Sequence, residues 1–391
     1  MKFDFDKVVD RHGTKCLKYD FAKERGRSDD MLPLWVADMD FPTAPGIQKS
    51  LSDAVAHGIY GYSEGKDDYF QAAAGWYEKH FGWKVEKEWL IKTPGVVFAL
   101  AMAVKAYTKE GDAVLLQQPV YYPFSEVITD NHRRLINSPL QQIDGHYEIN
   151  FEEFEQKIVE ENVKLLLMCS PHNPVSRVWT REELEKLGDI CKKHGVIVVS
   201  DEIHSDFTYG ENIHHVFASL DEKYAAITTT CTAPSKTFNI AGLQISNIWI
   251  SNPELRARFR AEVTAAGYSQ VNLMGLVACQ AAYETGEEWL KELKIYLEGN
   301  LDYVRTFLKE NLPEIKLTEP EGTYLLWLDF KSLGMKEEQL KDLVENKAKL
   351  WLDSGAMFGP DGEGFERINI ACPREILKQA LTQLAEAVHD R

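Results

Sequence analysis

The sequence predicts an α/β fold with a mainly parallel sheet, followed by a smaller α+β domain, and three observations carry that reading. Residues 95 to 285 alternate between helical periodicity and short, continuous apolar runs. Strands of that kind are buried on both faces, as in parallel sheets covered by helices. After Gly286 the texture changes to long charged helical patterns with only brief strand signals. At 391 residues the chain has room for a large domain and a smaller one.

The elements follow in order. Residues 1–45, with Pro33, Pro42 and Pro45, read as an irregular arm that contributes to the smaller domain. Residues 46–285 form the large domain. There "GVVFALAMAVKAYTKEG" has apolar residues at helical spacing and stops on Gly111. "AVLLQQP" is a buried strand, "NFEEFEQKIVEENV" an amphipathic helix and "KLLLMCSP" the next strand. "TREELEKLGDICKKHG" carries an N-cap threonine with glutamate at N3 and a terminating glycine. "VIVVSDEI" is again a strand, and "AAITTT" is β-branched. Residues 286–391 form the smaller domain. It starts with one helical pattern from Glu287, interrupted at most at Gly299, and adds strands near "IKLTE" and "TYLLWLDF". Helices at "KEEQLKDLVENKAKL" and "PREILKQALTQLAEAVHD" complete it.

Composition excludes several functions. A formal charge of −17 is wrong for a phosphate backbone, which calls for clustered Lys and Arg. No run approaches the ~18 apolar residues of a membrane helix, and the charged N-terminus lacks a signal-peptide core. The six cysteines are scattered without metal-ligand spacing, which reads as reduced thiols in a cytoplasm. His214 and His215 are adjacent, a loop feature rather than a metal site.

One lysine stands apart. Between Lys223 and Glu254 the only charged residue is Lys236, in "CTAPSKTFNIAGLQ". Other polar residues fall at strand ends, where parallel sheets bind ligands. Asp201 ends the run "VIVVS", and a carboxylate buried there wants a cation or an N–H partner. Asn173 follows the preceding strand and Tyr121 follows "AVLLQQP". Gly95-Val96-Val97 opens a helix whose free amides suit an anion. An amine, a carboxylate, an aromatic face, an amide and a phosphate-ready helix start are what pyridoxal 5′-phosphate (PLP) uses. Its aldehyde condenses with a lysine, and its protonated ring acts as an electron sink.

Six segments, "WVADMDFPTAP", "YGYSEG", "SPHNPVSRVWT", "SDEIHSDF", "SKTFNIAGLQ" and "RINIACPRE", occur in one order across essentially the whole chain. In them the sequence resembles the fold type I PLP enzymes, the aspartate-aminotransferase fold, and more narrowly the MalY/PatB-type C–S lyases. The resemblance implies a seven-stranded, mainly parallel sheet and a homodimer with shared active sites. By the same resemblance Lys236 matches the Schiff-base lysine, Asp201 the partner of the ring nitrogen and Asn173 the amide on the ring 3′-oxygen. Tyr121 matches the aromatic stacked on the ring beside the substrate. Val96 and Val97 match the amides on the phosphate, with the Thr232 and Ser235 hydroxyls nearby. Arg367 matches the guanidinium that grips the substrate α-carboxylate in two prongs. Tyr62 matches a tyrosine that reaches the neighbouring subunit's phosphate, and Tyr60 is an equal alternative.

Three positions depart from the broader aminotransferase pattern: Gln244 stands where many members have a phosphate-binding arginine, and Ala233 where many have a serine. His204 stands where many have a tyrosine on the 3′-oxygen, and it resembles the C–S lyase branch, so it joins the expected cofactor contacts. The implied activity is β-elimination from cystathionine or cysteine S-conjugates, giving a thiol, pyruvate and ammonia. The alternative is an aminotransferase acting on an amino acid and a 2-keto acid.

Overall fold

The computed structural model describes residues 2–391. Its central sheet has seven strands: β1 (Leu90–Thr93), β2 (Ala113–Leu116), β3 (Arg134–Asn137), β4 (Val163–Cys169), β5 (Ile197–Asp201), β6 (Thr228–Thr232) and β7 (Ser246–Trp249). The spatial order is β1-β7-β6-β5-β4-β2-β3. Five strands run parallel from β3 to β6, while β7 is antiparallel to both of its neighbours. Both faces are covered, as the continuous apolar runs predict. Val114, Leu116, Leu165 and Leu167 pack on one face with helix Val96–Tyr107. Ala113, Leu115, Leu166 and Met168 pack on the other, with helix Arg181–His194.

Local chemistry sets the boundaries. Thr180 and Glu183 form the expected capping box, and Gly195 ends that helix at φ 68°. Helix Val96–Tyr107 stops at Thr108 rather than Gly111. Gly111 instead turns the following loop at φ 82°, its N–H donating to His132. The pattern from Glu287 is one unbroken helix, Glu287–Asn311. "KEEQLKDLVENKAKL" forms only a short α-helix, Glu337–Lys341, before widening into a π-helical turn at Asp342–Lys347.

A second, antiparallel sheet holds β8 (Lys316–Leu317), β9 (Leu325–Asp329), β10 (Asp353–Ser354) and β11 (Phe365–Asn369), in the order β8-β9-β11-β10. The arm is pinned to this region. Leu32–Pro33 pairs with Leu350–Trp351, and Trp35 stacks on Trp351 at 4.5 Å. Among the described residues no helix is long and apolar enough to cross a membrane, and no group of His, Cys, Asp or Glu is placed to hold a metal.

Candidate active site

A cavity of about 450 Å³ lies at the carboxyl ends of β4 and β5, beside the loop after β6 and the start of helix Val96–Tyr107. Its wall brings together Val96, Val97, Tyr121, Asn173, Asp201, His204, Ser235 and Lys236.

Lys236 sits in the single helical turn Pro234–Thr237 that follows β6. Its Nζ donates to the carbonyl of Ala37 at 2.8 Å, and the Tyr324 hydroxyl donates to the same oxygen at 3.1 Å. Burial disfavours the ammonium and pulls its pKa down to about 8. Asp38 opposes the fall and Arg367 adds to it. The arm is tied beside it by Asn239, in a left-handed turn at φ 54°. That side chain accepts from the Met39 N–H at 3.0 Å and donates to Met39 and Phe41 carbonyls at 2.9 and 2.8 Å.

Asp201 ends β5, and its carboxylate accepts from the Ile203 N–H at 3.1 Å. Burial raises its pKa to about 7, against the pull of that N–H and of Lys236. The next residue, Glu202, is bound elsewhere by Ser200, the Phe217 N–H and buried His214, at 2.7, 3.1 and 2.9 Å. That pairing ties buried His214 to the end of β5.

Asn173 connects two parts of the wall. Its carbonyl accepts the Tyr121 N–H at 3.0 Å, and its Oδ1 accepts from Arg367 Nη1 at 3.0 Å. Gly95 precedes the helix at φ 138°, a backbone that L side chains rarely adopt. The first amide with a partner inside the helix is Ala99, on the Gly95 carbonyl. The amides before it are the free donors of a helix start and meet the cavity. His204 is buried, with Nδ1 unpartnered. Burial, with Lys236 and Arg367 nearby, keeps its ring neutral.

Three expected residues lie elsewhere. Thr232 is corrected: its hydroxyl donates to the Asn247 carbonyl at 2.8 Å and accepts from Trp249 Nε1 at 3.0 Å. It lines no part of the cavity, because its hydroxyl is held by the neighbouring strand β7, where Thr232 stands opposite Asn247. Arg367 is 2% exposed and stands behind the wall, reaching it through Asn173. Tyr62 is 93% exposed and lies along a separate open groove with Tyr60, joined to the cavity through Pro94 and Gln244. Ala37, Tyr324 and Asn239 also belong to the site, through the bonds just described. The segments that hold Ala37 and Asn239 were visible as motifs, but a backbone carbonyl leaves no side-chain signature.

The model for aminotransferase class I and II matches residues 29–384, and the chain belongs to that family. Within it, cystathionine beta-lyase PatB of Bacillus subtilis (strain 168) is 43% identical over 385 residues, 98% of this chain and 100% of the relative. The PLP-containing structure of cystalysin from Treponema denticola superposes with a TM-score of 0.96 at 38% identity, covering 100% of both chains. The PLP-bound C-S lyase from Staphylococcus hominis gives 0.93 at 34% identity, over 99% of this chain and 98% of that one. The seven-stranded sheet is that of the fold type I PLP enzymes.

Proposed function

We propose that this chain is a PLP-dependent C–S β-lyase that cleaves cystathionine or cysteine S-conjugates to a thiol, pyruvate and ammonia. The carrying observation is that Lys236 and Asp201, each shifted by burial, face one cavity at the head of a helix with free amides. The names of the relatives at 43% and 34% identity support the lyase over the aminotransferase. The wall fits PLP: free amides suit a phosphate, buried Asp201 forms no direct ion pair among the described residues, and Nδ1 of His204 lacks a partner.

When bound, PLP supplies an aldehyde for the substrate amine and a protonated ring that withdraws electrons from the substrate Cα. The amides of Val96 and Val97, with the Ser235 hydroxyl, would hold the phosphate. Tyr121 would lie against the ring, Asn173 and His204 would serve its oxygen, and Asp201 would hold the proton on the ring nitrogen. Arg367, oriented by Asn173, fixes the α-carboxylate. Lys236, as a free amine, takes the Cα proton as general base. The electron pair left at Cα then forms the Cα=Cβ bond as the Cβ–S bond breaks with its own pair leaving on sulfur, and the proton taken by Lys236 completes the thiol. Water converts the three-carbon remainder to pyruvate and ammonia.

In this reading residues 46–285 carry the cofactor cradle, while the arm 1–45 and residues 286–391 bring Ala37 and Arg367. The active unit is a homodimer in which Tyr62 completes the partner's phosphate site, a role its exposure beside the groove suits. All six cysteines are free, which fits a reducing cytoplasm. The test is cystathionine turnover with and without a 2-keto acid. A lyase releases thiol, pyruvate and ammonia in equal amounts without it. Turnover that strictly requires the keto acid and yields no thiol would make the protein an aminotransferase.

A further inference from the structure

Arg367 has its donors nearly all taken. Nη2 donates to the Trp35 carbonyl at 2.8 Å and to the Asp353 carboxylate, and Nη1 donates to Asn173 at 3.0 Å. Only Nε, buried and unpartnered, and the second Nη1 hydrogen remain. A two-pronged carboxylate contact uses either the Nη1/Nη2 edge or the Nε/Nη2 edge. Both edges include Nη2, whose two hydrogens are committed. An incoming α-carboxylate therefore needs one of the two Nη2 partners to yield.

Of those two partners, Trp35 offers a neutral carbonyl in an arm held by its stack on Trp351. Asp353 offers a carboxylate. It faces Arg367 directly across the β10–β11 pairing, and both side chains are buried. The Phe358 ring, 5.0 Å from the guanidinium, closes the pair further from water. Burial raises the Asp353 pKa, while Arg367, its one hydrogen-bonded cation, pulls it back, with smaller help from Arg25 and Arg27. Two anions on one buried guanidinium repel each other at short range.

We propose that Asp353 determines how this enzyme selects an α-carboxylate: it occupies the second prong of Arg367 and is displaced when the substrate's carboxylate binds. It is a specificity-determining residue and touches no reacting atom. It keeps Arg367 paired in the empty site, and it makes a carboxylate compete for its place. The inference rests on the proposed role of Arg367 as the carboxylate's anchor.

The test uses the PLP-loaded enzyme and three ligands. In Asp353→Asn, KM for cystathionine should fall about tenfold, because a like charge is removed from the shared guanidinium; the change falls on KM rather than kcat. The inhibition constant of propionate, which has a carboxylate and no amine, should fall by a similar factor. Inhibition by S-benzylcysteamine, which has the amine and no carboxylate, should not change. Asp353→Ser, neutral and smaller, carries the same expectation where Asp353→Asn does not fold. A folded, PLP-loaded neutral variant whose KM and propionate constant stay level or rise would overturn the proposal, leaving Asp353 a structural counterion. Arg367→Gln separates the premise: if KM and propionate inhibition do not change there, Arg367 is not the anchor and the underlying reading fails first.

Discussion

The amine of Lys236 and the carbonyl of Ala37 meet at 2.8 Å, though 199 positions separate them in the chain. The resting partner of the amine is thus a neutral backbone oxygen from the arm. A carboxylate there would hold the ammonium charged; a carbonyl stabilises it far less. That difference, with burial, keeps the amine close to its reactive form.

Replacing Lys236 with alanine should lower turnover of cystathionine by about 10²- to 10⁴-fold, the usual worth of a positioned general base. The visible absorption of the lysine-bound cofactor should be lost with it. Far-ultraviolet circular dichroism should match the parent, because one partly buried side chain is removed. Full turnover in that variant would exclude Lys236 as the base.

The amine also sets a pH dependence. Only the unprotonated form condenses with an aldehyde, and its share grows as pH rises through about 8. The rate at which PLP-free protein takes up PLP covalently should therefore climb from pH 6.5 and level off above that value. Stopped-flow absorbance measures it. A rate still climbing steeply above pH 10 would place the amine at its ordinary, unshifted value.

Asp201 makes a prediction of opposite sign about stability. Its folded-state pKa of about 7 lies above the ordinary 3.8, so between those values only the folded chain holds the proton. Its contribution is therefore complete at low pH and is lost as pH rises toward 7. In PLP-free protein, Asp201→Asn should gain stability over the parent across that window, by up to about 4 kcal/mol. Denaturant unfolding from pH 5 to pH 7.5 tests this. Bound PLP should shrink the difference, because a protonated ring nitrogen favours the carboxylate. A difference independent of pH would mean that Asp201 does not titrate there.

Asn239 should matter without touching the chemistry. Asn239→Ala removes three hydrogen bonds to the arm and puts alanine at φ 54°. The expected loss is about 2–4 kcal/mol. Asn239→Gly keeps the backbone comfortable and should recover about 1 kcal/mol of that. Equal stabilities of the two variants would show that the turn is not strained.

The shared site is testable by mixing. Lys236→Ala and Tyr62→Ala chains, each impaired alone, should regain part of the activity after subunit exchange. One site of the mixed dimer then holds both defects and the other holds neither. No recovery after exchange confirmed by mass spectrometry would count against Tyr62 acting across the interface.

Much of this fold and site is legible in the sequence. The parallel core shows in the apolar runs ending at Cys169 and Asp201, because burial on both faces leaves no polar alternation. Lys236 shows through its charge-free surroundings. Other features leave weaker traces. Strand β7 is the four residues "SNIW", too short for periodicity to register. Thr232 carries a hydroxyl beside the lysine loop, and only the strand register reveals that it bonds to Asn247 and Trp249. The pairing of Asp353 with Arg367 depends on two strands 14 positions apart coming into register, which neither segment announces.

The order β8-β9-β11-β10 has a consequence for how the protein is made. The strand that carries Arg367 is translated last of the four, yet it sits between β9 and β10. A nascent chain can finish its seven-stranded sheet, and present Lys236, well before Arg367 leaves the ribosome. Until β11 inserts, the half-built small sheet exposes two unpaired edges, the kind of surface that chaperones shield. The last few dozen residues thus supply both the guanidinium and, through Leu377, Leu381 and Leu384, part of the core that packs with Phe238 and Trp249.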